Sequence, residues 1–316
     1  MWRWNKSTDM DLSIIIVNWN TCGFLKACVD SIYASLVNEG ELSFEIIVVD
    51  NASEDGSPEM VTTCYPKIHL IENKKNEGFA KANNQGAEIS QGRFLLLLNP
   101  DTLLHPMSIS RLFEHVDSHP EVGAAGPRTL NPDGSLQISA YRSPTLIRET
   151  WRLLNLDTFI PLSYYPLDFF NSTNYQNVEI LNGSCIVIKS ELLQQIGLFD
   201  EQFFIYSEEY DLCERIRDAG WQLHWLPDAI ITHYVGQSTK QKPDAMFLEL
   251  YQNKIKFYRK HHGRIASELY KFILGLASIF RWIIASTLAI IPSSEQASWR
   301  HLSQQYQHLL LQLFHY

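Results

Sequence analysis

The first hundred residues alternate between continuous apolar runs and amphipathic stretches, and this alternation sets the fold class. Apolar runs occupy residues 12–18 (LSIIIVN), 44–50 (FEIIVVD), 68–72 (IHLIE) and 93–98 (RFLLLL). Runs with little polar interruption are typical of strands that are buried on both faces. Helical spacing follows each of the first three runs, over 25–36, after Pro58 and over 79–90. Four strands that alternate with helices predict an α/β fold with a mostly parallel sheet.

Beyond residue 104 the predicted elements are shorter and less regular. They are a hairpin at 129–138, a strand with a glycine break at 180–188, helices at 190–196 and 207–219, and short strands at 221–226 and 230–233. The hairpin is indicated by the turn sequence Asn131-Pro-Asp-Gly. Residues 142–175 are aromatic and dotted with prolines, so we expect an irregular insertion there.

Composition excludes several classes of protein. A chain of 316 residues with 45% hydrophobic residues can bury a large core, so global disorder is excluded. The formal net charge of −9 argues against a nucleic-acid partner. Five scattered cysteines without a C-x-x-C pair favour buried thiols in a reducing compartment. The first residues, MWRWNK, lack an apolar run, so we expect no secretory signal and a cytoplasmic location.

Polar residues stand where the predicted strands end. Asn18, Asp50 and Asp101 each follow a buried run, and ligands of parallel sheets bind beyond the carboxyl ends of the strands. Asp50 could form a turn or accept hydrogen bonds from a ribose. Asn99-Pro-Asp101 could begin the helix expected from about Met107, but the five residues between place Asp101 poorly for capping. A hard cation that bridges a diphosphate is the alternative ligand for this acid.

Two later positions could also carry chemistry. Glu208 and Glu209 open a predicted helix, where acids favour the helix dipole, and only one of them can point squarely into a cleft. His233 ends an apolar strand and precedes a Gly-Gln-Ser-Thr loop. A single histidine is usually structural, but this one could bind a metal or a phosphate.

Seven blocks of sequence carry a combined signal through their order and spacing. They are SIIIVNWN at 13–20, EIIVVDNASEDGS at 45–57, NEGFAKANNQG at 76–86, LLLLNPDT at 95–102, LNGSCIVI at 181–188, IGLFDEQFFIYSEEYDLCERIRDAGW at 196–221 and HYVGQST at 233–239. Together they resemble a family 2 glycosyltransferase of the bacterial rhamnosyltransferase-like branch. The resemblance implies the Rossmann-like GT-A fold of nucleotide-diphospho-sugar transferases. It assigns residues 1–260 to the catalytic domain, with a nucleotide-binding half at about 11–104 and an acceptor half at about 105–260. Residues 261–316 are left as a C-terminal helical segment.

The resemblance also implies the roles of individual residues. Donor binding falls on Asn18, Asn20, Asp50, Asn51, Asn83, Asn99 and Asp101. A divalent metal, Mg²⁺ or Mn²⁺, falls on Asp101 and His233. The general base falls on Glu209, with Glu208 beside it. The family usually has Asp where this chain has Asn99 and Glu209, which implies weaker metal binding and a shifted acceptor.

The C-terminal segment contains a stretch, Leu269–Ile291, that is long enough to span a bilayer. Arg281 near its middle disfavours a span, so we expect a helix that lies in the membrane surface, with packing against the catalytic domain and a true span as alternatives. A second amphipathic helix is expected at 301–314. A location at the cytoplasmic face of the inner membrane suits a lipid-linked acceptor.

The leading hypothesis is an inverting, metal-assisted glycosyltransferase of cell-surface polysaccharide synthesis. It takes a nucleotide-sugar donor, with dTDP-rhamnose as a candidate, and a glycan or lipid-linked saccharide as acceptor. The alternatives are a nucleotidyltransferase, whose Gly-rich basic loop is missing after the first strand, and a nucleotide-sugar-binding module without catalysis. The sugar, the acceptor, the linkage and the oligomeric state are not encoded in a motif that we can interpret.

Overall fold

The computed structural model describes residues 10–36 and 42–313. The chain forms two compact units, which we call the sheet unit and the helical unit. The sheet unit contains the chain up to Ser143, Tyr164–Phe204 and Glu208–Gln241, and the helical unit contains Pro144–Ser163, Ile205–Ser207 and the chain from Lys242 onward. The N-terminal residues on which the expected lack of a secretory signal depends lie outside the described residues, as does Phe314. The boundary of the catalytic domain at residue 260 stays a prediction.

Twelve strands lie in the described part of the sheet unit. They are β1 (Leu12–Asn18), β2 (Phe44–Asp50), β3 (His69–Glu72), β4 (Phe94–Leu98), β5 (Thr102–Leu104), β6 (Val122–Leu130), β7 (Leu136–Gln137), β8 (Ala140–Tyr141), β9 (Gln176–Asn177), β10 (Ile180–Leu181), β11 (Cys185–Lys189) and β12 (Gln222–His233). Ten of them form one sheet in the order β3-β2-β1-β4-β11-β6-β12-β5, with β7 paired to β6 and β9 to β12. The other two, β8 and β10, pair with each other.

The chain folds into ten helices within the described residues. They are α1 (Cys22–Leu36), α2 (Ser57–Cys64), α3 (Phe79–Ile89), α4 (Ser108–Ser118), α5 (Leu146–Leu153), α6 (Ser190–Ile196), α7 (Glu208–Asp218), α8 (Pro243–His261), α9 (Gly263–Leu288) and α10 (Gln296–Leu313). Short 3₁₀ turns lie at Leu156–Thr158, Leu167–Asn171 and Thr239–Gln241. The helical unit contains α5, α8, α9 and α10, and the others belong to the sheet unit.

The predicted α/β architecture with a mostly parallel central sheet and C-terminal helices is confirmed. β1 pairs in parallel with β2 and β4, and β2 with β3. β11 runs antiparallel between β4 and β6, and β12 is parallel to β6. Strands β1, β2, β4, β6 and β12 therefore all end at one edge, which we call the carboxyl edge. Because the sequence at β1, β2 and β4 is apolar at nearly every position, these strands can be covered on both faces.

Three sequence-based predictions of local structure were wrong. The two short strands expected at 221–226 and 230–233 are one strand, β12, whose pairing with β6 shifts register between Leu226 and Ile230. Pro227 lies in this irregularity, where a missing N–H is tolerated, so the proline bends the strand without ending it. The strand expected at 180–188 is split into β10 and β11, which belong to different sheets. The insertion at 142–175 is not wholly irregular, because it contains α5, capped by the Thr145 side chain.

The helical unit has an apolar core of its own. Its members come from α5, α8, α9 and α10 and include Leu153, Ile255, Tyr258, Tyr270, Leu274 and Leu309. One buried ion pair lies in this unit: Lys254 Nζ is 2.6 Å from Glu149 Oε1, and Arg152 also binds Glu149. Burial raises the pKa of Glu149, but the charges of Lys254 and Arg152 outweigh it and lower the pKa to about 2.

Candidate active site

The ends of β1 and β2 are joined by their polar side chains. Asn18 and Asp50 lie directly opposite each other in the parallel pairing. Asn18 Nδ2 donates to Asp50 Oδ2 at 2.9 Å, and the Ser53 N–H donates to Asp50 Oδ1 at 2.8 Å. Both side chains are buried. These hydrogen bonds hold the Asp50 carboxylate rigidly at the carboxyl edge. A carboxylate that is fixed there is suited to accept a hydrogen bond from the hydroxyl of a ribose.

The loop after β1 adopts a turn that is fixed by Asn20. This residue has a left-handed φ of 52°, which Asn tolerates better than most residues. Its Oδ1 accepts the Glu54 N–H at 2.7 Å, and its Nδ2 donates to Gln241 Oε1 at 3.3 Å. Gln241 also donates to the carbonyl of Gln237 at 3.3 Å. The loops that follow β1, β2 and β12 are therefore linked to one another at the carboxyl edge.

Two of the residues that the family resemblance assigns to donor binding make internal contacts. Asn51 accepts from Asn73 Nδ2 at 2.9 Å and donates to the Gly78 carbonyl at 3.2 Å. Asn83 lies in α3 and donates to the Phe79 carbonyl at 2.9 Å. Both are almost fully buried. These contacts brace the segment before α3, and the donor-binding roles of Asn51 and Asn83 stay predictions.

Asp101 and His233 meet because of the short strand β5, which the sequence analysis did not predict. β5 begins at Thr102 and pairs with the end of β12, with His233 opposite Thr102. His233 Nε2 consequently lies 3.3 Å from Asp101 Oδ1, and both side chains are buried. The backbone N–H of Gln237 approaches Asp101 Oδ2 at 3.3 Å.

The electrostatics of this pair favour a charged carboxylate. Burial raises the pKa of Asp101, whereas a proton on His233 Nε2, if present, and the N–H of Gln237 act in the opposite direction and together lower it. Among the described residues, His233 Nε2 has no partner in hydrogen-bonding geometry, although it is buried. An anionic oxygen and a ring nitrogen that approach each other without a hydrogen bond are the pair of donor atoms that a divalent cation takes.

Asn99 lies two residues before Asp101 in the sequence and carries a further side-chain oxygen. Its backbone is fixed, because its N–H donates to the Ser184 carbonyl at 2.9 Å and its carbonyl accepts from Thr102 Oγ1 at 2.7 Å. Its side-chain Oδ1 is buried, with no hydrogen-bond partner among the described residues. A carboxamide oxygen in this state is available to a ligand.

Glu208 and Glu209 open α7 and differ in their surroundings. Glu208 is buried and Glu209 is partly exposed. Burial raises the pKa of Glu208 well above its ordinary value of 4.5, and the neighbouring Glu209 carboxylate raises it further. Burial therefore favours the protonated form of Glu208, and Glu209 is the more exposed of the two acids.

Gly183 places Glu209 at the carboxyl edge. This glycine precedes β11, which starts opposite the end of β4, with Cys185 facing Leu98. A Cβ built on Gly183 would lie 3.4 Å from Glu209 Cβ and 3.8 Å from its Cδ. Glu209 therefore lies against the turn that leads into β11, at the same edge as Asp50, Asp101 and His233.

A tyrosine lies near Glu209 that the sequence analysis missed. Burial raises the pKa of Tyr141, and the Glu209 carboxylate raises it further, whereas a hydrogen bond from Asn182 opposes both. Asn182 Nδ2 donates to the Tyr141 hydroxyl at 3.3 Å, and that hydroxyl donates to the Ile138 carbonyl at 2.9 Å. Its sequence context, a two-residue strand, gives no signal for this placement.

Asp211, the third acid of the first turn of α7, has a structural role. Arg215 Nε donates to Asp211 Oδ2 at 2.9 Å, and the same guanidinium donates to the carbonyls of Ile196 and Gly197. Asp211 is completely buried. It orients the arginine that holds the end of α6, so its carboxylate is already engaged in a structural contact.

The residues present fit one divalent cation with a lean set of protein ligands. Within residues 10–36 and 42–313, no group of three or more His, Cys, Asp or Glu side chains is arranged to hold a metal ion. Asp101 and His233 supply two donor atoms. Mg²⁺ typically takes one or two carboxylates and completes its shell with substrate phosphates and water.

Comparison with known proteins identifies the family. The model of "Glycosyl transferase family 2" matches residues 13–197, more than half of the chain. The chain belongs to glycosyl transferase family 2. It is 29% identical, over 73% of its length and 79% of the relative's, to an N-acetylglucosaminyl-diphospho-decaprenol L-rhamnosyltransferase of Mycobacterium tuberculosis. It is 30% identical to the low-salt glycan biosynthesis hexosyltransferase Agl10 of Haloferax volcanii, over 76% of this chain and 73% of the relative.

Solved structures of other glycosyltransferases share the fold of this family 2 enzyme. A mannosyltransferase from Pyrobaculum calidifontis, in complex with GDP-Man and Mn²⁺, has a TM-score of 0.57 at 16% identity and covers 99% of this chain and 90% of its own. GalNAc-T7 with UDP, GalNAc and Mn²⁺ has a TM-score of 0.56 at 18% identity and covers 83% of this chain and 54% of its own. The expected GT-A fold is therefore confirmed. Family membership decides between the two enzyme hypotheses, in favour of glycosyl transfer over nucleotidyl transfer.

Proposed function

We propose that this family 2 glycosyltransferase transfers a sugar, with inversion, from a nucleoside-diphosphate donor to a lipid-linked or glycan acceptor in cell-surface polysaccharide synthesis. The observation that carries the proposal is the pair formed by the Asp101 carboxylate and His233 Nε2, 3.3 Å apart and buried at the carboxyl edge. The edge of a parallel sheet is where such folds bind nucleotides, and an anionic diphosphate needs a positive counterpart there.

Glu209 carries out the proton transfer in this proposal. It takes the proton of the acceptor hydroxyl while that oxygen bonds to the anomeric carbon of the donor sugar. The bond from the anomeric carbon to the diphosphate oxygen breaks on the opposite face, its electrons stay on that oxygen, and a nucleoside diphosphate leaves. General-base catalysis of this kind contributes about 10²- to 10⁴-fold in rate. Burial raises the pKa of Glu208, so this neighbour adds little negative charge beside Glu209.

The remaining residues position the donor. Asp50, held by Asn18 and by the Ser53 N–H, accepts hydrogen bonds from the nucleoside, and Asn99 Oδ1 and the loop at Asn20 lie along the same edge. Asp101 and His233 would hold Mg²⁺ or Mn²⁺. A cation bound there supplies positive charge that stabilises the leaving diphosphate.

One relative supports rhamnose as the transferred sugar and a lipid-linked acceptor. The relative from Mycobacterium tuberculosis is named as an L-rhamnosyltransferase that acts on a diphospho-decaprenol. We therefore assign dTDP-rhamnose as the first donor to test and a polyprenyl-diphosphate-linked sugar as the first acceptor. Such an acceptor places the enzyme at the cytoplasmic face of the inner membrane.

One helix of the helical unit has the surface that such a location requires. α9 is long and apolar enough to cross a membrane by length and composition, and 22% of its most apolar window is buried. One face packs inward through Ser267, Tyr270, Leu274, Ser278 and Ala285. The opposite face exposes a row of large apolar side chains, which we call the apolar stripe: Ile265, Leu269, Phe272, Leu276, Ile279, Phe280 and Ile283.

Arg281 and the local charge favour a helix that lies in the membrane surface over one that spans it. The Arg281 guanidinium donates to the Leu153 carbonyl at 2.7 Å and to the Tyr306 hydroxyl at 3.2 Å, inside the helical unit. A span would have to break these contacts. Residues 259–313 also differ in charge from the chain as a whole, which has a net charge of −9: they contain six basic residues, Arg259, Lys260, Arg264, Lys271, Arg281 and Arg300, and two acidic ones, Glu268 and Glu295. We propose that the apolar stripe binds an anionic phospholipid surface.

Vesicle binding tests this surface. The full chain should co-sediment with vesicles of phosphatidylcholine and phosphatidylglycerol, and less with phosphatidylcholine alone. Phe272→Ser/Ile283→Ser should weaken binding about tenfold or more, because two apolar side chains lose a contact worth about 1.5 kcal/mol or more each. The matched control is Ile89→Ser/Met107→Ser, which changes two sheet-unit side chains that are 45% and 47% exposed. Equal losses in both variants, or no binding by the parent, would overturn the membrane assignment.

A donor screen tests the activity. Purified protein is incubated with nucleotide-sugars and a lipid-linked acceptor, and release of nucleoside diphosphate is followed with and without Mn²⁺. We expect release that depends on acceptor and metal, with dTDP-rhamnose the preferred donor. Binding of a donor without any turnover would support the non-catalytic binding module instead.

A further inference from the structure

We infer that Gln137 is a positioning residue that fixes the proton of His233 on Nδ1 and so leaves Nε2 free to bind a metal. The inference rests on the proposed function in one respect, the metal at Asp101 and His233. It concerns a residue in a two-residue strand of the hairpin, far in sequence from both proposed ligands.

The decisive contact lies on the ring nitrogen that faces away from Asp101. His233 Nδ1 is 2.8 Å from Gln137 Oε1. A carboxamide oxygen only accepts hydrogen bonds, so this contact requires a proton on Nδ1. The neutral imidazole carries one proton, and Nε2 then has a lone pair that points toward Asp101 Oδ1 at 3.3 Å.

The orientation of the Gln137 carboxamide is itself fixed by its neighbours. Its Nε2 donates to Asn131 Oδ1 at 2.8 Å and to the His233 carbonyl at 3.2 Å. Asn131 is oriented in turn, because its Nδ2 donates to the Leu136 carbonyl at 3.4 Å and to Ser135 Oγ at 2.9 Å. Backbone carbonyls only accept, so both amides have one orientation that satisfies the whole chain of hydrogen bonds.

The hairpin brings Gln137 close to the end of β12, where His233 lies. β7 pairs with the end of β6, Gln137 opposite Thr129, and β6 lies beside β12, which ends at His233. The Asn131-Pro-Asp-Gly turn therefore delivers Gln137 to the side of His233 that faces away from Asp101. A histidine that binds a metal through one nitrogen is commonly held through the other by a carbonyl or carboxylate, and loss of that partner typically costs 10- to 100-fold in metal affinity.

The alternative to this assignment is a proton between His233 and Asp101. An imidazolium could donate from both nitrogens, to Gln137 and to Asp101, and would form an ion pair without a metal. The geometry disfavours it, because His233 Nε2 has no partner in hydrogen-bonding geometry among the described residues. The two states differ in a proton that can be observed directly.

The first experiment observes that proton in the metal-free full chain. Nitrogen-15 spectra of histidine-labelled protein, assigned with a His233→Asn variant, distinguish Nδ1–H from Nε2–H at a pH where the ring is neutral. We expect Nδ1–H in the parent and in Gln137→Glu, whose carboxylate also accepts, and a mixture or Nε2–H in Gln137→Met. Nε2–H in the parent, or no change in Gln137→Met, would overturn the inference.

The second experiment measures Mn²⁺ affinity without any turnover, from the electron paramagnetic resonance signal of free Mn²⁺. Gln137→Met should weaken binding about 10- to 100-fold, and Gln137→Glu, which keeps the acceptor for Nδ1 but loses the donor to Asn131 and to the His233 carbonyl, should weaken it less. The matched control is Gln222→Met, since Gln222 Oε1 forms a similar contact with His224 Nε2 at 2.9 Å outside the site. Unaltered Mn²⁺ affinity in Gln137→Met would contradict the inference. A parent that binds no Mn²⁺ would refute the metal site of the proposed function, while the nitrogen-15 spectra would still decide the role of Gln137.

Discussion

His233 Nε2 lies 3.3 Å from Asp101 Oδ1, although β4, which precedes Asp101, and β12, which ends at His233, are separated in the sheet by β11 and β6. The three residues of β5 make the contact possible, because they continue directly from Asp101 and pair with the end of β12. Tyr234, the residue after His233, also donates its backbone N–H to the Asp101 carbonyl at 2.9 Å. The geometry of the proposed metal pair is thus set by backbone hydrogen bonds and does not depend on side-chain packing alone.

Asn99→Asp should tighten metal binding. The Asn99 Oδ1 atom is buried and has no hydrogen-bond partner among the described residues, so a carboxylate at this position has no internal contact to lose there. An added anionic ligand raises affinity for a hard cation, and we expect the Kd for Mn²⁺ to fall about tenfold. Isothermal titration calorimetry of the parent and of Asn99→Asp with Mn²⁺ measures this Kd. An unchanged Kd would show that residue 99 does not face the cation.

Glu208→Gln should stabilise the protein. Burial and the Glu209 carboxylate raise the pKa of Glu208 above its ordinary value of 4.5. The stability that protonated Glu208 provides is therefore fully present below pH 4.5 and is lost as the pH rises through the folded-state pKa. Glutamine resembles the protonated acid at every pH, so the gain over the parent, on the order of 1 kcal/mol, should grow as the pH rises.

Thermal denaturation of Glu208→Gln and the parent, at several pH values between 5 and 8, measures this gain in stability. Glu191→Gln is the matched control, because Glu191 is an exposed acid in the first turn of α6. That variant should show a difference from the parent that does not change with pH. A Glu208→Gln protein that is less stable than the parent at pH 8 would contradict the assignment of a protonated Glu208.

The buried ion pair of the helical unit predicts sensitivity to acid. The pKa of Glu149 is lowered to about 2 in the folded state by Lys254 and Arg152 against the effect of burial, from an ordinary value of 4.5. Its contribution to stability is therefore present above pH 4.5 and is lost as the pH falls from about 4.5 toward 2. Glu149→Gln, which removes the carboxylate that pairs with buried Lys254, should cost about 3–5 kcal/mol in urea denaturation.

A double variant separates the ion pair from the packing around it. Glu149→Leu/Lys254→Met removes both charges, and replacement of a buried ion pair by apolar groups is often neutral or stabilising. We expect this protein to lose less stability than Glu149→Gln and to denature with a weaker dependence on pH below 4.5. If Glu149→Gln is as stable as the parent, the ion pair does not hold the helical unit together.

The sequence predicted the part of the fold that is encoded locally. The apolar runs of β1, β2 and β4 carry their own signal, and strand ends mark the carboxyl edge, so Asn18, Asp50 and Asp101 were found from spacing alone. The family resemblance added roles for Glu209 and His233. Glu209 lies at the start of a predicted helix and His233 at the end of an apolar strand, so both are polar residues at the boundary of an element.

The rest depends on pairings between distant segments. β5, β7 and β8 are two or three residues long, too short for a periodic pattern, and they become strands only because a neighbouring strand is present. Gln137 and Tyr141 were missed for this reason. The continuity of β12 was also missed, because the strand runs through a shift of register between Leu226 and Ile230, where Pro227 is tolerated.

We propose that Glu209, which is partly exposed beside buried Glu208, is the base of the glycosyl transfer. Single-turnover rates of the parent and of Glu209→Gln, with dTDP-rhamnose and a polyprenyl-diphosphate-linked acceptor in the presence of Mn²⁺, test it most directly. Donor affinity is measured in parallel, to separate binding from chemistry. We predict a rate that is about 10²- to 10⁴-fold lower in Glu209→Gln at unchanged donor affinity. A Glu209→Gln protein that transfers sugar at the parental rate would contradict the account.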